Sequence, residues 1–211
     1  MKKIFLKPLN EVFKLDKSII RINFEDPIMF RELIKSLDEE SILSENNNEI
    51  DIKKNVLKIY DPFNIDLKDK KITTELYKCM KRDLSDEQKN RILEIESSMI
   101  SLLDDIAMTM DCSIDYEEEV DITKIFSIFQ VCLREIEYKN FLEFILNYIK
   151  LNKEFYGYSI VIAIRLMNIL TKEEQILLEQ ELNLLEIKLI DFDITNNSKN
   201  DVLIDKDWCV I

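Results

Sequence analysis

The sequence predicts an α/β fold in which a head domain, built from both ends of the chain, is interrupted by an α-helical insertion. Three observations carry that prediction. Short apolar and β-branched runs crowd the first 60 residues, helical spacing of three and four takes over from about Leu67, and a strand–helix–strand pattern returns after the single glycine, Gly157. The expected head comprises residues 1–65 and 154–211, and the expected insertion residues 66–153. No internal repeat is apparent.

Taken in order, Glu11–Leu15 and Ile19–Phe24 flank a polar Asp16-Lys17-Ser18 turn and read as a β-hairpin. A helix starts next, with Asp26 as N-cap, Pro27 in the first helical position and a stripe of Phe30, Leu33, Ile34 and Leu37. The polar tract from Asp38 to Asp51, with Asn46-Asn47-Asn48 inside it, reads as an exposed loop. Val56–Tyr60 forms a further strand that Asp61-Pro62 closes.

Within the insertion, Ser85-x-x-Gln88 is a capping box, and Ile92, Ile95, Met99, Leu102 and Ile106 follow as the seam of a long amphipathic helix. Such a seam needs a cover. The candidates are the helix around Ile72, Leu76 and Met80, the helix from Ile122 to Phe129, or another subunit, with packing inside the chain the expected solution. Phe141, Leu142, Ile145, Leu146 and Ile149 mark one more helix, and Ser159–Ile164 is apolar enough for a fully buried central strand. Thr171-x-x-Glu174 caps a helix through Ile176, Leu177 and Leu182, Ile187–Phe192 is a strand reached by a parallel crossover, and Trp208–Ile211 is a terminal strand.

Composition narrows the chemistry. An apolar content of 46% supports a folded core, while 42 acidic against 29 basic residues give a formal charge of −13. Such a surface repels nucleic acid on average, so DNA binding demands that lysines and arginines be segregated from the acids. The absence of histidine removes histidine-based nucleophilic and general-base catalysis, and one glycine cannot supply a phosphate-cradling loop or a dinucleotide fingerprint. Cys79, Cys112, Cys132 and Cys209 are scattered without a Cys-x-x-Cys pair, as expected of free thiols in a reducing compartment. No secretory pattern follows Met1-Lys2-Lys3, and the longest apolar stretch, Tyr158–Ile164, is too short to span a bilayer, so a cytoplasmic location is expected.

Three groups of residues are candidate sites. The densest basic stretch includes Lys71, Lys78, Lys81, Arg82 and Lys89 at the opening of the insertion, where Lys78, Lys81 and Arg82 can share a helical face toward phosphates. An acidic run, Asp115, Glu117, Glu118, Glu119 and Asp121, is suited to a hard cation such as calcium or to plain solvation. Asp61, Asp191 and Asp193 stand at predicted strand ends, where a metal-dependent nuclease would place carboxylates, although no accompanying lysine or histidine motif is legible.

Several segments resemble the ring-forming accessory protein of spacer acquisition in type II-A CRISPR systems. They are the strand Ser159–Ile164, the helix start Leu170-Thr171-Lys172-Glu173-Glu174, the strand Ile187–Phe192, and the closing Val202-Leu203-Ile204-Asp205-Lys206-Asp207-Trp208. The likeness runs over nearly the whole chain and rests on ordered pattern. It implies a head that resembles a degenerate P-loop ATPase fold lacking the phosphate loop, and no enzymatic activity. It also implies a calcium-stabilised homotetrameric ring around double-stranded DNA with a preference for ends, and as partners the CRISPR integrase subunits and the RNA-guided nuclease. On this resemblance Lys71, Lys78, Lys81, Arg82 and Lys89 would meet DNA, and Glu117, Glu118, Glu119 and Asp121 would hold Ca2+. The competing expectation is a protein-binding scaffold without DNA contact.

Overall fold

The computed structural model describes residues 3–6, 11–14, 17–39, 43–45, 48–50, 55–112, 114–117, 120–134, 138–194, 202–207 and 209–210. Among these the elements run β1 (Lys3–Leu6), β2 (Glu11–Lys14), β3 (Ile19–Phe24), α1 (Pro27–Glu39), β4 (Leu43–Glu45), β5 (Asn48–Ile50) and β6 (Val56–Ile59). They continue with α2 (Lys70–Arg82), α3 (Asp86–Met108), α4 (Ile122–Ile128), α5 (Phe141–Tyr156), β7 (Ile160–Ile164), α6 (Leu166–Ile169), α7 (Lys172–Leu184), β8 (Lys188–Asp193) and β9 (Val202–Ile204). Two compact units result, residues 1–65 with 136–211 and residues 66–135. No helix among the described residues is long and apolar enough to cross a membrane.

The first unit is a mixed α/β structure with two sheets. β6, β7, β8, β3 and β9 lie parallel in that order, and β2, β1, β4 and β5 form an antiparallel sheet. The continuous apolar run of β7 is explained by its position between β6 and β8 with both faces covered. Ile160 and Ile162 join a cluster with Phe30, Leu33 and Leu37 of α1, while Val161 and Ala163 join Leu142, Ile145 and Ile149 of α5 and Leu178 and Leu182 of α7. α5, expected within the insertion, therefore belongs to the first unit. At its end Gly157 adopts a left-handed φ of 71° and donates its N–H to the Lys153 carbonyl at 2.8 Å, a conformation that suits a residue without Cβ.

The expected β2–β3 hairpin does not form. β2 pairs with β1 instead, Phe13 opposite Ile4, and β3 enters the parallel sheet between β8 and β9. Burial gives the reason: Ile22, Asn23 and Phe24 are all buried, as a strand inside a parallel sheet requires, whereas β2 alternates exposed Val12 with buried Phe13. The Asp38–Asp51 tract, expected as a loop, carries the end of α1 and the hairpin of β4 and β5, with Leu43 opposite Ile50. Strands of three residues are too short to leave a periodic signature. Asn46 and Asn47 lie outside the described residues.

Toward the C-terminal end the described strand is β9, and Val210, inside the tract expected as a terminal strand, makes an isolated antiparallel bridge to Ile204. The Asp205 carboxylate accepts the N–H groups of Asp207 and Cys209 at 2.9 and 2.8 Å, which turns the chain back immediately after β9. Trp208 and Ile211 lie outside the described residues.

Candidate nucleic-acid interface

The basic candidates sit in the second unit, on α2 and the first turn of α3. Asp69 caps α2 by accepting the Lys71 N–H at 2.7 Å, and Ile72 is the buried residue of that helix. The inner side of α2 meets α4: the Tyr77 ring lies 5.7 Å from Phe126, and its hydroxyl donates to the Phe126 carbonyl at 3.3 Å. Lys71, Lys78 and Arg82 are spaced by seven and four residues, so they form one stripe, and all three are exposed. Lys81 is exposed as well but reaches Asp121 on α4, Nζ to Oδ1 at 3.0 Å. Lys89 lies beyond Ser85, which caps α3 in the capping box with Gln88.

Most of these cations already have a carboxylate partner. Lys78 pairs with Glu75, Lys89 pairs with Asp86 at 3.1 Å, and Arg82 engages Asp83 through two bonds of 2.9 and 3.3 Å. The Arg82 guanidinium accordingly lowers the Asp83 carboxyl below its ordinary range. The Lys71 ammonium has no ion-pair partner among the described residues. Pairs this exposed contribute little to stability, so a phosphate can compete for the cation. The sequence signal for two of these pairs is a spacing of three residues, Glu75 to Lys78 and Asp86 to Lys89.

Of the four proposed metal ligands, Glu118 and Glu119 lie outside the described residues. Glu117 faces Lys124, with its oxygen 3.6 Å from Nζ. Asp121 is the N-cap of α4: it accepts the Thr123 N–H at 3.2 Å and the Thr123 hydroxyl at 2.8 Å in addition to Lys81. The Lys81 ammonium, followed by the two Thr123 bonds, holds its carboxyl down at about 2. Both described carboxylates are thus neutralised by lysines, and among the described residues no group of three or more ligating side chains could hold a metal. The described residues alone do not fit calcium, which requires six to eight oxygens.

The strand-end aspartates organise backbone. Asp191 accepts the N–H groups of Leu166 and Met167 at 2.9 and 3.0 Å, and burial pushes its carboxyl up to about 7 against those bonds. Asp193 meets Arg165 at 3.2 Å, Asn168 and the Ile194 N–H, while Asp61 accepts the Phe63 N–H at 3.0 Å. Both oxygens of Asp191 and of Asp193, and one of Asp61, are engaged by the turns that follow β6, β7 and β8.

α3 departs most from expectation. None of its residues is buried, and Ile95, Met99 and Leu102 are 54%, 51% and 59% exposed. Among the described residues, no packing within the chain covers this seam as the sequence led one to expect.

Residues 35–208 match the model of a family described as CRISPR-associated protein (Cas_Csn2). A search of curated proteins returned no match.

Proposed function

The chain belongs to the CRISPR-associated protein (Cas_Csn2) family, accessory proteins of type II-A spacer acquisition, and on that premise we propose that it holds double-stranded DNA within a homotetrameric ring. The observation that carries this reading is the exposed stripe of Lys71, Lys78 and Arg82 on α2 in a chain of net charge −13. Phosphates displace Glu75 and Asp83 from the stripe, and Lys81 and Lys89 join by exchanging Asp121 and Asp86 for phosphate. Contacts of this kind ignore base sequence and weaken steeply with salt.

Self-assembly is supported by the exposed α3 seam, since an apolar helix face of this extent is ordinarily covered by another chain. Encirclement would favour loading at free ends. Chemistry is not part of the proposal: Asp61, Asp191 and Asp193 are engaged by backbone and by Arg165, and the lone glycine supports a P-loop-like head that has lost its phosphate loop. Calcium, the integrase subunits, the RNA-guided nuclease and a cytoplasmic setting belong to the same proposal through the family. No step of DNA holding is routed through calcium.

The test is a salt series with a linear duplex and the variants Lys71→Gln, Lys78→Gln and Arg82→Gln. Each variant should reduce the slope of log affinity against log salt by about 0.9 per lost phosphate contact. Unchanged affinity and slope in the triple variant would exclude the stripe as the DNA surface. The scaffold reading is favoured by the exposed α3 seam, and it predicts partner binding with no DNA dependence at any salt.

A further inference from the structure

The first unit contains a cavity of about 640 Å³ that neither the ring nor the basic stripe uses. It opens beyond the carboxyl ends of β6, β7 and β8 and beside the first turns of α1, the place where parallel sheets collect ligands. Its volume lies within the range of about 300–1,000 Å³ typical of small-molecule sites.

The lining has a definite chemistry. Three rings, Phe30, Tyr60 and Phe63, and two arginines, Arg31 and Arg165, line the same space, and among the described residues no carboxylate lines it, although acids outnumber bases in the chain by 42 to 29. Phe63 is 72% exposed, and one side of its ring stacks on Phe141 with centroids 5.0 Å apart and planes 27° apart. A further planar ring on its open side would extend that stack.

Arg165 is held rather than loose. Its backbone is left-handed at φ 57°, its N–H donates to the Phe192 carbonyl at 3.0 Å, its Nε meets Asp193 at 3.2 Å, and its guanidinium carbon stands 5.9 Å from the Phe30 centroid. Nε is thus committed to Asp193, and the two terminal amino groups are the donors left for an anion at the cavity wall.

We propose that this cavity binds a single nucleotide unit, its base stacked against Phe63 and Tyr60 and its phosphate held by Arg165 and Arg31. The unit can come from two sources with the same chemistry, a free mononucleotide or the unpaired terminal nucleotide of a DNA strand. The proposal does not rest on the α2 stripe.

The test is calorimetric titration of the full chain with 5′-AMP, adenosine and inorganic phosphate, followed by competition between 5′-AMP and duplexes that are blunt or carry a short single-stranded overhang. 5′-AMP should bind more tightly than adenosine or phosphate alone, and Phe63→Leu should weaken it about fivefold or more, the worth of one stacking contact. Arg165→Gln should do the same, with circular dichroism confirming the fold, and Phe63→Leu, at a largely exposed ring, remains as the test should that variant unfold. Competition by the overhang but not by the blunt duplex assigns the site to strand ends, and absence of competition assigns it to free nucleotides. If neither 5′-AMP nor the overhang is sensitive to Phe63→Leu, the site is refuted. Neutralising Lys71, Lys78 and Arg82 should leave 5′-AMP binding unchanged, so failure of the DNA reading and failure of this one are distinguishable.

Discussion

The two units use apolar sequence in opposite ways. In the first, Ile145, Ile162, Leu178 and Phe192 are fully buried, and the parallel sheet is covered by α1 on one face and by α5 and α7 on the other. In the second, Ile72 is the buried residue on α2, while α3 and α4 bury none. A periodic apolar face states that something must cover it and leaves open what does. For α5 the cover is the sheet, whereas α3 has no cover among the described residues. The first unit thus has a covered interior, and the second leaves an apolar helix face exposed among the described residues.

Attacking α3 should produce the largest effect. Ile95→Lys with Leu102→Lys places charge in the exposed seam and should convert the assembly to smaller species in sedimentation velocity, with helix content intact by circular dichroism. Retention of the full assembly would remove the seam from the interface. A deletion in the sheet should act on stability instead: Ile162→Ala should cost about 2–5 kcal/mol in denaturant unfolding, against about 0.5 kcal/mol or less for Leu102→Ala measured on dissociated chains. Equal costs would erase the distinction between the units.

Gly157→Ala should cost about 1 kcal/mol, because alanine must adopt the left-handed conformation that ends α5. The effects in pH have opposite signs in the two units. Asp191 holds its proton in the folded state up to about 7, against an ordinary 3.8, because burial disfavours its charge. The native state then binds more protons than the unfolded chain between these values, so the Asp191 contribution makes the first unit less stable as pH rises from about 4 to 7. Asp121 is held at about 2 by Lys81 and Thr123, so its contribution to the second unit is complete above the ordinary 3.8 and is lost as pH falls through about 2. Hydrogen exchange resolved by unit checks both signs.

Local signals in the sequence were reliable wherever a single element determined the outcome. Asp26 with Pro27, Ser85 with Gln88 and Thr171 with Glu174 each start a helix where expected, and the unbroken run at Ile160–Ile164 is an interior parallel strand. Pairing over distance was not legible. β2 chooses β1 over its neighbour β3 because β3 is buried on both faces, a property of the finished sheet. Among candidate site residues, Lys71, Lys78 and Arg82 could be placed on one face from spacing alone. The cavity could not be anticipated, since Phe30, Phe63 and Arg165 come together only when α1 and the ends of β6 and β7 meet.

The most direct test of the ring compares binding to linear and covalently closed circular duplexes of one sequence, with calcium and with a chelator, across a salt series. The account predicts salt-sensitive binding that prefers the linear form. Equal affinity for both forms would contradict encirclement, and absence of DNA binding under every condition would leave the exposed α3 seam to serve a protein scaffold alone.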